Sequence, residues 1–179
     1  MAQLIMRWKN DGTERTPINF PEKVELKTFP QIPDALNEWL DIMSHMEQGE
    51  PQNLHNIPDY YKNTMLSYAN YKEDMCYFLT VDGVPAASIT VICDYDKKDG
   101  YIHMVACKPG FRGMGLGHLL NDVALDVLKR EGMQTAYLTT DDWRIPAIKT
   151  YLKADFYPDT ESEPDFKERW EKVMEICNN

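Results

Sequence analysis

Cys107-Lys108-Pro109-Gly110-Phe111-Arg112-Gly113-Met114-Gly115-Leu116-Gly117 is the stretch that decides how this chain is read. Before it, Tyr101 to Cys107 has the apolar, β-branched and aromatic character of a strand. After it, Leu116 to Glu131 places apolar residues at helical spacing. A strand that runs through glycines into a helix N-terminus is built to hold an anion. The first amides of the helix have no partners within it, the dipole favours negative charge, and glycines let the ligand approach the main chain.

The surrounding composition sharpens this reading. The 179 residues include 29 acidic and 19 basic ones, a net charge of −10, which disfavours nucleic acid and anionic membrane as partners. Yet Lys108 and Arg112 flank the glycines, and no acid lies between Gly100 and Asn121. A basic loop in an acidic protein points to one specific anionic ligand. Length and apolar content fit one domain over residues 1–179 with a core of its own. Cys76, Cys93, Cys107 and Cys177 form no C-x-x-C pair and lie in apolar periodic segments, so buried thiols of a reducing compartment are expected, without a zinc site or other metal. The N-terminus lacks a long apolar run, and a cytoplasmic setting is the expectation.

Working outward, Val24 to Phe29 alternates as a half-exposed strand. Ile32, Leu36, Trp39, Leu40 and Met43 then follow at helical spacing. A break from Gly49 to Pro58 precedes a second helical stretch with Tyr61, Met65 and Tyr68 on one face. Met75 to Val81 and Ala86 to Tyr95 read as strands around an Asp82-Gly83 hairpin turn. With Tyr101 to Cys107 they form an antiparallel meander. Gln134 to Thr140, reached through a helix, can lie parallel to the Tyr101 strand. A helix from about Ile145 to Ala154 and a terminal helix over about 165–177 complete the order, the latter with Ser162 and Asp165 as a capping box. The fold class is therefore α/β, with an α+β-like mixed sheet.

Two familiar phosphate loops are excluded by spacing. The P-loop frame from Gly110 to Gly115 continues as Leu116-Gly117 where Lys and Ser or Thr are required. Gly113-Met114-Gly115-Leu116-Gly117 misplaces the third glycine of a dinucleotide fingerprint. What remains is R-x-x-G-x-G, on Arg112, Gly115 and Gly117. In this setting, from Val105 to Leu120, the chain resembles the GCN5-related N-acetyltransferases, the GNAT superfamily. Leu138-Thr139-Thr140, continuing through Ala147 and Tyr151 to Phe156, is similar to the family's next strand and helix. The resemblance covers roughly Val24 to Tyr157, and the terminal helix lies beyond it.

The resemblance implies a GNAT fold whose central parallel strands splay apart around the pantetheine arm of acetyl-CoA. It implies main-chain contacts to that arm from Val105 and Cys107. The amides of Arg112, Gly113, Met114, Gly115, Leu116 and Gly117 would wrap the pyrophosphate, with His118 near it and Arg144 in place of the family's usual amide contact. Tyr151 stands where relatives carry the acid that protonates the departing thiolate; a free tyrosine, with a pKa of about 10, is protonated at neutral pH. Period-two alternation puts His103 on one face with Tyr101, Val105 and Cys107, and there it is the candidate base, acting directly or through water. Asp94, Asp141 and Asp142 are candidates for a cationic substrate, or simply for turns and caps. Tyr60, Tyr61 and Trp39 read as helix packing.

The implied activity is transfer of acetyl from acetyl-CoA to a primary amine of a small molecule or peptide, by direct attack in a ternary complex. A non-catalytic acyl-CoA-binding or sensing module of the same fold is the alternative, and a homodimer is left open. Besides Arg144, in Asp142-Trp143-Arg144, the chain departs from the family in two further places. Ala154-Asp155-Phe156 replaces the usual Leu-Gly-Phe, with Asp155 at the left-handed helix terminus. A helix stands where the closing strand hairpin is expected, which leaves the substrate-side edge of the slot unassigned.

Overall fold

A computed structural model describes residues 2–47 and 50–178. Met1 and Asn179, at the ends of the expected domain, and Gln48 and Gly49, at the expected break, lie outside them. The elements are β1 (Leu4–Lys9), β2 (Val24–Thr28), α1 (Ala35–Ser44), β3 (Cys76–Val81), β4 (Val84–Asp94), β5 (Asp99–Cys107), α2 (Leu116–Arg130), β6 (Thr135–Thr140), α3 (Ile145–Lys153), β7 (Tyr157–Pro158) and α4 (Phe166–Asn178). They build one seven-stranded sheet in the order β2-β3-β4-β5-β6-β1-β7.

The meander forms where turn chemistry dictates it. Asp82 and Gly83 both adopt left-handed backbone (φ 49° and 81°), the conformation a two-residue hairpin needs to match strand twist. The crossover through α2 then makes β5 and β6 the parallel pair, running from Asp99↔Thr135 to Ile102↔Leu138. The sheet is covered on both faces. Leu116, Leu120, Val123, Val127 and Leu128 of α2 pack with Ile89 and Val91 of β4 and with Phe166 and Trp170 of α4. On the other face Trp39, Ile42 and Met43 of α1 pack with Met65 and Phe78.

Several expectations are corrected. The first helix begins at Ala35, after a 3-10 turn over Phe29–Gln31, and Leu36 points to solvent, 43% exposed. The Tyr61–Tyr68 stretch is only a single π-helical turn, Lys62–Leu66. Tyr61 packs on Phe29 and Trp39, and Tyr68 on Tyr101 and His103 of β5, instead of extending one helix face. The Ser162–Asp165 capping box does not form. Ser162 Oγ donates to Asp159 (2.7 Å), and α4 starts only at Phe166. All four cysteines are free, but only Cys76 and Cys93 are buried; Cys107 and Cys177 are partly exposed. Asp155 does take the left-handed conformation at the end of α3, with φ 61°.

The unassigned edge is filled from the far end of the sequence. β1 lies antiparallel to β6, from Leu4↔Thr140 to Lys9↔Thr135, and β7 pairs outside it. Leu4, Met6 and Trp8 are buried in the core, Ile5 is partly buried against it, and Arg7 and Lys9 are more exposed. α4 is fastened across this end of the fold by Arg169, which donates to Asp142 (Nε, 3.0 Å) and to the Ala2 carbonyl (2.9 Å). Among the described residues no helix is long and apolar enough to cross a membrane.

Candidate active site

The site begins where the parallel pair ends. β5 and β6 are in register only as far as Ile102 and Leu138, so beyond this point the β6-facing edge of β5 has no neighbouring strand. On its other edge β5 stays paired with β4, but the register slips: Thr90 faces His103 and Ser88 faces Ala106, so Met104 and Val105 together oppose Ile89. Met104 carries the extra residue with φ 52°, in the left-handed region. This is a β-bulge, a device that bends a strand and re-aims its side chains.

The bulge reverses face parity and corrects the placement of His103. Tyr101 and His103 pack against Tyr68 on the α1 side of the sheet. Val105 and Cys107 turn instead toward the α2-side core, and Met104 packs on the α1 side. His103 therefore does not share a face with Val105 and Cys107.

Three cavities meet in the opening. A cavity of about 460 Å³ on the α2 side is bounded by Val105, Cys107, Gly115, Gly117, Asn121 and Tyr151. One of about 430 Å³ on the α1 side reaches His45, Arg112, Trp143 and Arg144. A smaller one, about 170 Å³, extends to Tyr101, His103 and Glu47. Val105 and Ala147 line all three, which makes one slot that opens toward both faces of the sheet.

The loop at the mouth of the slot works through its main chain. Gly113 and Gly115 have φ 81° and 78°, and a Cβ at either would meet no protein atom within 4 Å. The first helical bonds are donated by His118 and Leu119, both to the Gly115 carbonyl (3.1 and 3.2 Å). The amides just before them are the orphan donors of the helix start. Open space over orphan amides fits an anionic pyrophosphate, and the slot behind is shaped for a narrow arm.

The basic side chains of the loop are occupied elsewhere. Lys108 Nζ pairs with Asp41 (2.6 Å) and Glu38 (3.2 Å) of α1. Burial works against its charge, but the two carboxylates outweigh it and raise its pKa. Arg112 donates to the carbonyls of Cys107 (3.2 Å) and His45 (3.0 Å), the second closing the C-terminal end of α1. Arg144, just ahead of α3, bridges Glu47 (2.5 Å) and Asp141 (2.9 Å) with its guanidinium 4.7 Å from the centre of the Trp143 ring. His118 lines the α2-side cavity.

Tyr151 and His103 differ in electrostatics. Burial pushes the Tyr151 phenol up to about 12, with Arg144 pulling weakly the other way, so the group is a proton donor across the physiological range. Burial lowers the His103 pKa, partly offset by its hydrogen bond to Thr64. Its Nε2 lies 3.0 Å from the Thr64 carbonyl and its Nδ1 3.1 Å from Tyr101 Oη. The sequence reading puts Tyr101 on the His103 face but gives it no chemical part; its ring also stacks on Tyr137 at 4.6 Å, a contact that depends on the parallel register of β5 and β6. Asp94 holds a turn through Lys97, Asp142 holds α4, and Asp141 pairs with Arg144. Among the described residues no cluster of three His, Cys, Asp or Glu side chains is arranged to hold a metal ion.

The sequence profile of the acetyltransferase (GNAT) family matches residues 37–156. No curated protein sequence matches the chain. Among solved structures it is similar to a GCN5-related N-acetyltransferase from Sphaerobacter thermophilus, with a TM-score of 0.63 and 15% identity. That match covers 89% of this chain but only 50% of the other, so the chain spans half the length of that protein. It is also similar to the ribosomal-protein-S18-alanine N-acetyltransferase of Escherichia coli (TM-score 0.60, 19% identity, 76% of this chain and 79% of that one). A third is Ard1 from Thermoplasma volcanium (TM-score 0.57, 20% identity, 80% and 90%). At these identities the likeness is one of fold.

Proposed function

The chain belongs to the acetyltransferase (GNAT) family, and from that membership we propose that it is an N-acetyltransferase moving acetyl from acetyl-CoA to a primary amine. The observation that carries the proposal is the parting of β5 and β6 after Ile102 and Leu138. The resulting slot runs from the orphan amides of the glycine loop to Tyr151. Bound acetyl-CoA would supply an activated thioester. The Arg112 amide is bonded to the Pro109 carbonyl (3.2 Å), so the amides from Gly113 to Gly117 hold its pyrophosphate, and the unpaired edge of β5 at Val105 and Cys107 holds the arm.

In direct attack a C–N bond forms at the thioester carbonyl and the C–S bond breaks, the electron pair leaving on sulfur. Tyr151 gives its proton to that sulfur. The amine's proton leaves toward His103. Because Tyr101 occupies the ring nitrogen that accepts, the transfer runs through Tyr101 Oη: the hydroxyl gives its proton to Nδ1 as it takes one from the amine. His118 and Arg144 stand beside the coenzyme, Arg144 held in place by Glu47 and Asp141. The net charge of −10 supports a cationic acceptor, a small-molecule or peptide amine such as a polyamine or a lysine-rich peptide. A cytoplasmic setting belongs to the same proposal, supported by four free thiols.

Calorimetry with acetyl-CoA, followed by a thiol-release screen over amines, tests it. Binding followed by amine-dependent thiol release is expected. Absence of binding overturns the proposal, and tight binding with no release on any amine favours the acyl-CoA-binding module.

A further inference from the structure

α2 carries one polar residue where its buried stripe calls for an apolar one. Gly117, Asn121, Ala124 and Leu128 fall on a single line of the helix, at i, i+4, i+7 and i+11. The two ends of that line locate it. Gly117 faces Thr150 of α3, and Leu128 packs against Gly100 of β5. Asn121 lies between them, over the gap where β5 and β6 have separated, and it lines the α2-side cavity together with Val105 and Tyr151.

Asn121 is 3% exposed, and its Nδ2 has no hydrogen-bond partner. Arg15 and Arg144 also carry a buried side-chain nitrogen without a hydrogen bond beside a cavity. Both arginines are ion-paired through their guanidinium groups, to Asp122 and to Glu47 and Asp141. Asn121 has no such compensation. A buried amide left unpaired costs more than an apolar side chain of the same size, so the helix carries a penalty that a ligand in the slot would remove.

The level of Asn121 indicates which part of a ligand it meets. It is six residues beyond Gly115, a rise of about 9 Å along the helix, past the reach of the phosphate loop. The helix runs back alongside β5, from the Cys107 end toward Gly100, so this level is that of Val105 and Tyr151. Resting on the coenzyme reading of the slot, we propose that the side-chain amide of Asn121 hydrogen-bonds an amide carbonyl oxygen of the pantetheine arm of the acyl donor. Asn121 is then a binding residue on the buried wall of the slot, acting on the arm and not on the nucleotide.

The test compares two probes on each protein by calorimetry: coenzyme A, which carries the arm, and adenosine 3′,5′-bisphosphate, which does not. Asn121→Leu keeps the volume and removes the donor. The coenzyme A Kd is expected to rise about tenfold while the bisphosphate Kd stays within twofold, with an unchanged or higher Tm, since an unpaired buried amide has been removed. Asn121→Ala is run alongside, so that a repacking failure of the leucine variant does not decide the matter. Unchanged coenzyme A affinity in folded variants, or an equal loss for both probes, overturns the proposal. Failure of the wild-type protein to bind coenzyme A at all is a different result, and it rejects the coenzyme reading of the slot itself.

Discussion

Tyr101 donates its hydroxyl proton to Nδ1 of His103 across 3.1 Å, and a third group fixes the direction of that bond. The Thr64 carbonyl, 3.0 Å from Nε2, can only accept, so Nε2 carries the hydrogen and Nδ1 is left with the lone pair. The imidazole is thereby held neutral, its basic nitrogen bonded to Tyr101 Oη and both side chains lining the slot.

His103→Gln and Tyr101→Phe should therefore lower kcat/KM by similar factors, roughly 10²-fold each. The double variant should be little worse than either single one, since both break the same relay. The sign of the pH effect follows from burial. The folded pKa of His103 lies below its unfolded value of about 6.5, so both activity and the stability it contributes are present above that pH and fall as the imidazole is protonated below it. A pH–rate profile should show this acid limb in the wild type and lose it in His103→Gln. An intact limb with a merely lowered Tm would make His103 structural.

Tyr151→Phe should leave acetyl-CoA affinity near wild type and reduce turnover roughly 10²-fold. Because burial holds the phenol at about 12, the wild-type rate should show no alkaline decline from Tyr151 up to about pH 11. Full turnover by the phenylalanine variant on a competent amine would reduce Tyr151 to packing.

Gly115→Val tests the phosphate cradle. No protein atom lies within 4 Å of a Cβ placed there, so only a bound anion and the φ of 78° resist the side chain. Acetyl-CoA affinity should fall at least tenfold, about 1.4 kcal/mol, by titration. Unaltered affinity in a folded protein would move the phosphate site elsewhere.

Lys108 should behave differently from the glycines. With Nζ held by Asp41 and Glu38, Lys108→Met is expected to lower Tm by a few degrees, roughly 1 kcal/mol, while the acetyl-CoA Kd stays within about twofold. A large loss of affinity at constant Tm would mean that Lys108 leaves its carboxylates for the ligand.

What the sequence made legible was local. The hairpin at Asp82-Gly83, the strand into the glycine loop and the stripe of α2 are each determined by residues close together in the chain, and each formed. Three features were hidden for physical reasons. Leu4, Met6 and Trp8 alternate as a strand should, but nothing nearby reveals that their partners are Thr135 to Thr140. Methionine has no preference for φ near 52°, so the bulge at Met104 carries no local mark, and strict alternation put His103 on the wrong face. Tyr61 and Tyr68 recur at helical spacing yet serve different contacts, Tyr61 packing on Trp39 and Phe29 and Tyr68 on Tyr101 and His103, an arrangement that needs only one turn of helix. In the site, the glycines and Tyr151 could be located by motif, whereas the engagement of Lys108 and Arg112 with α1 depends on a tertiary contact that spacing does not encode.

The position of β1 between β6 and β7 also sets an order of events during synthesis. Residues 4–9 leave the ribosome long before either neighbour exists, carrying three core side chains and two unsatisfied strand edges. The sheet can close around them only after Thr140 and Pro158 have been made. Until then this segment is an unpaired strand, the part of the nascent chain most in need of a chaperone and the one through which two half-made copies would join.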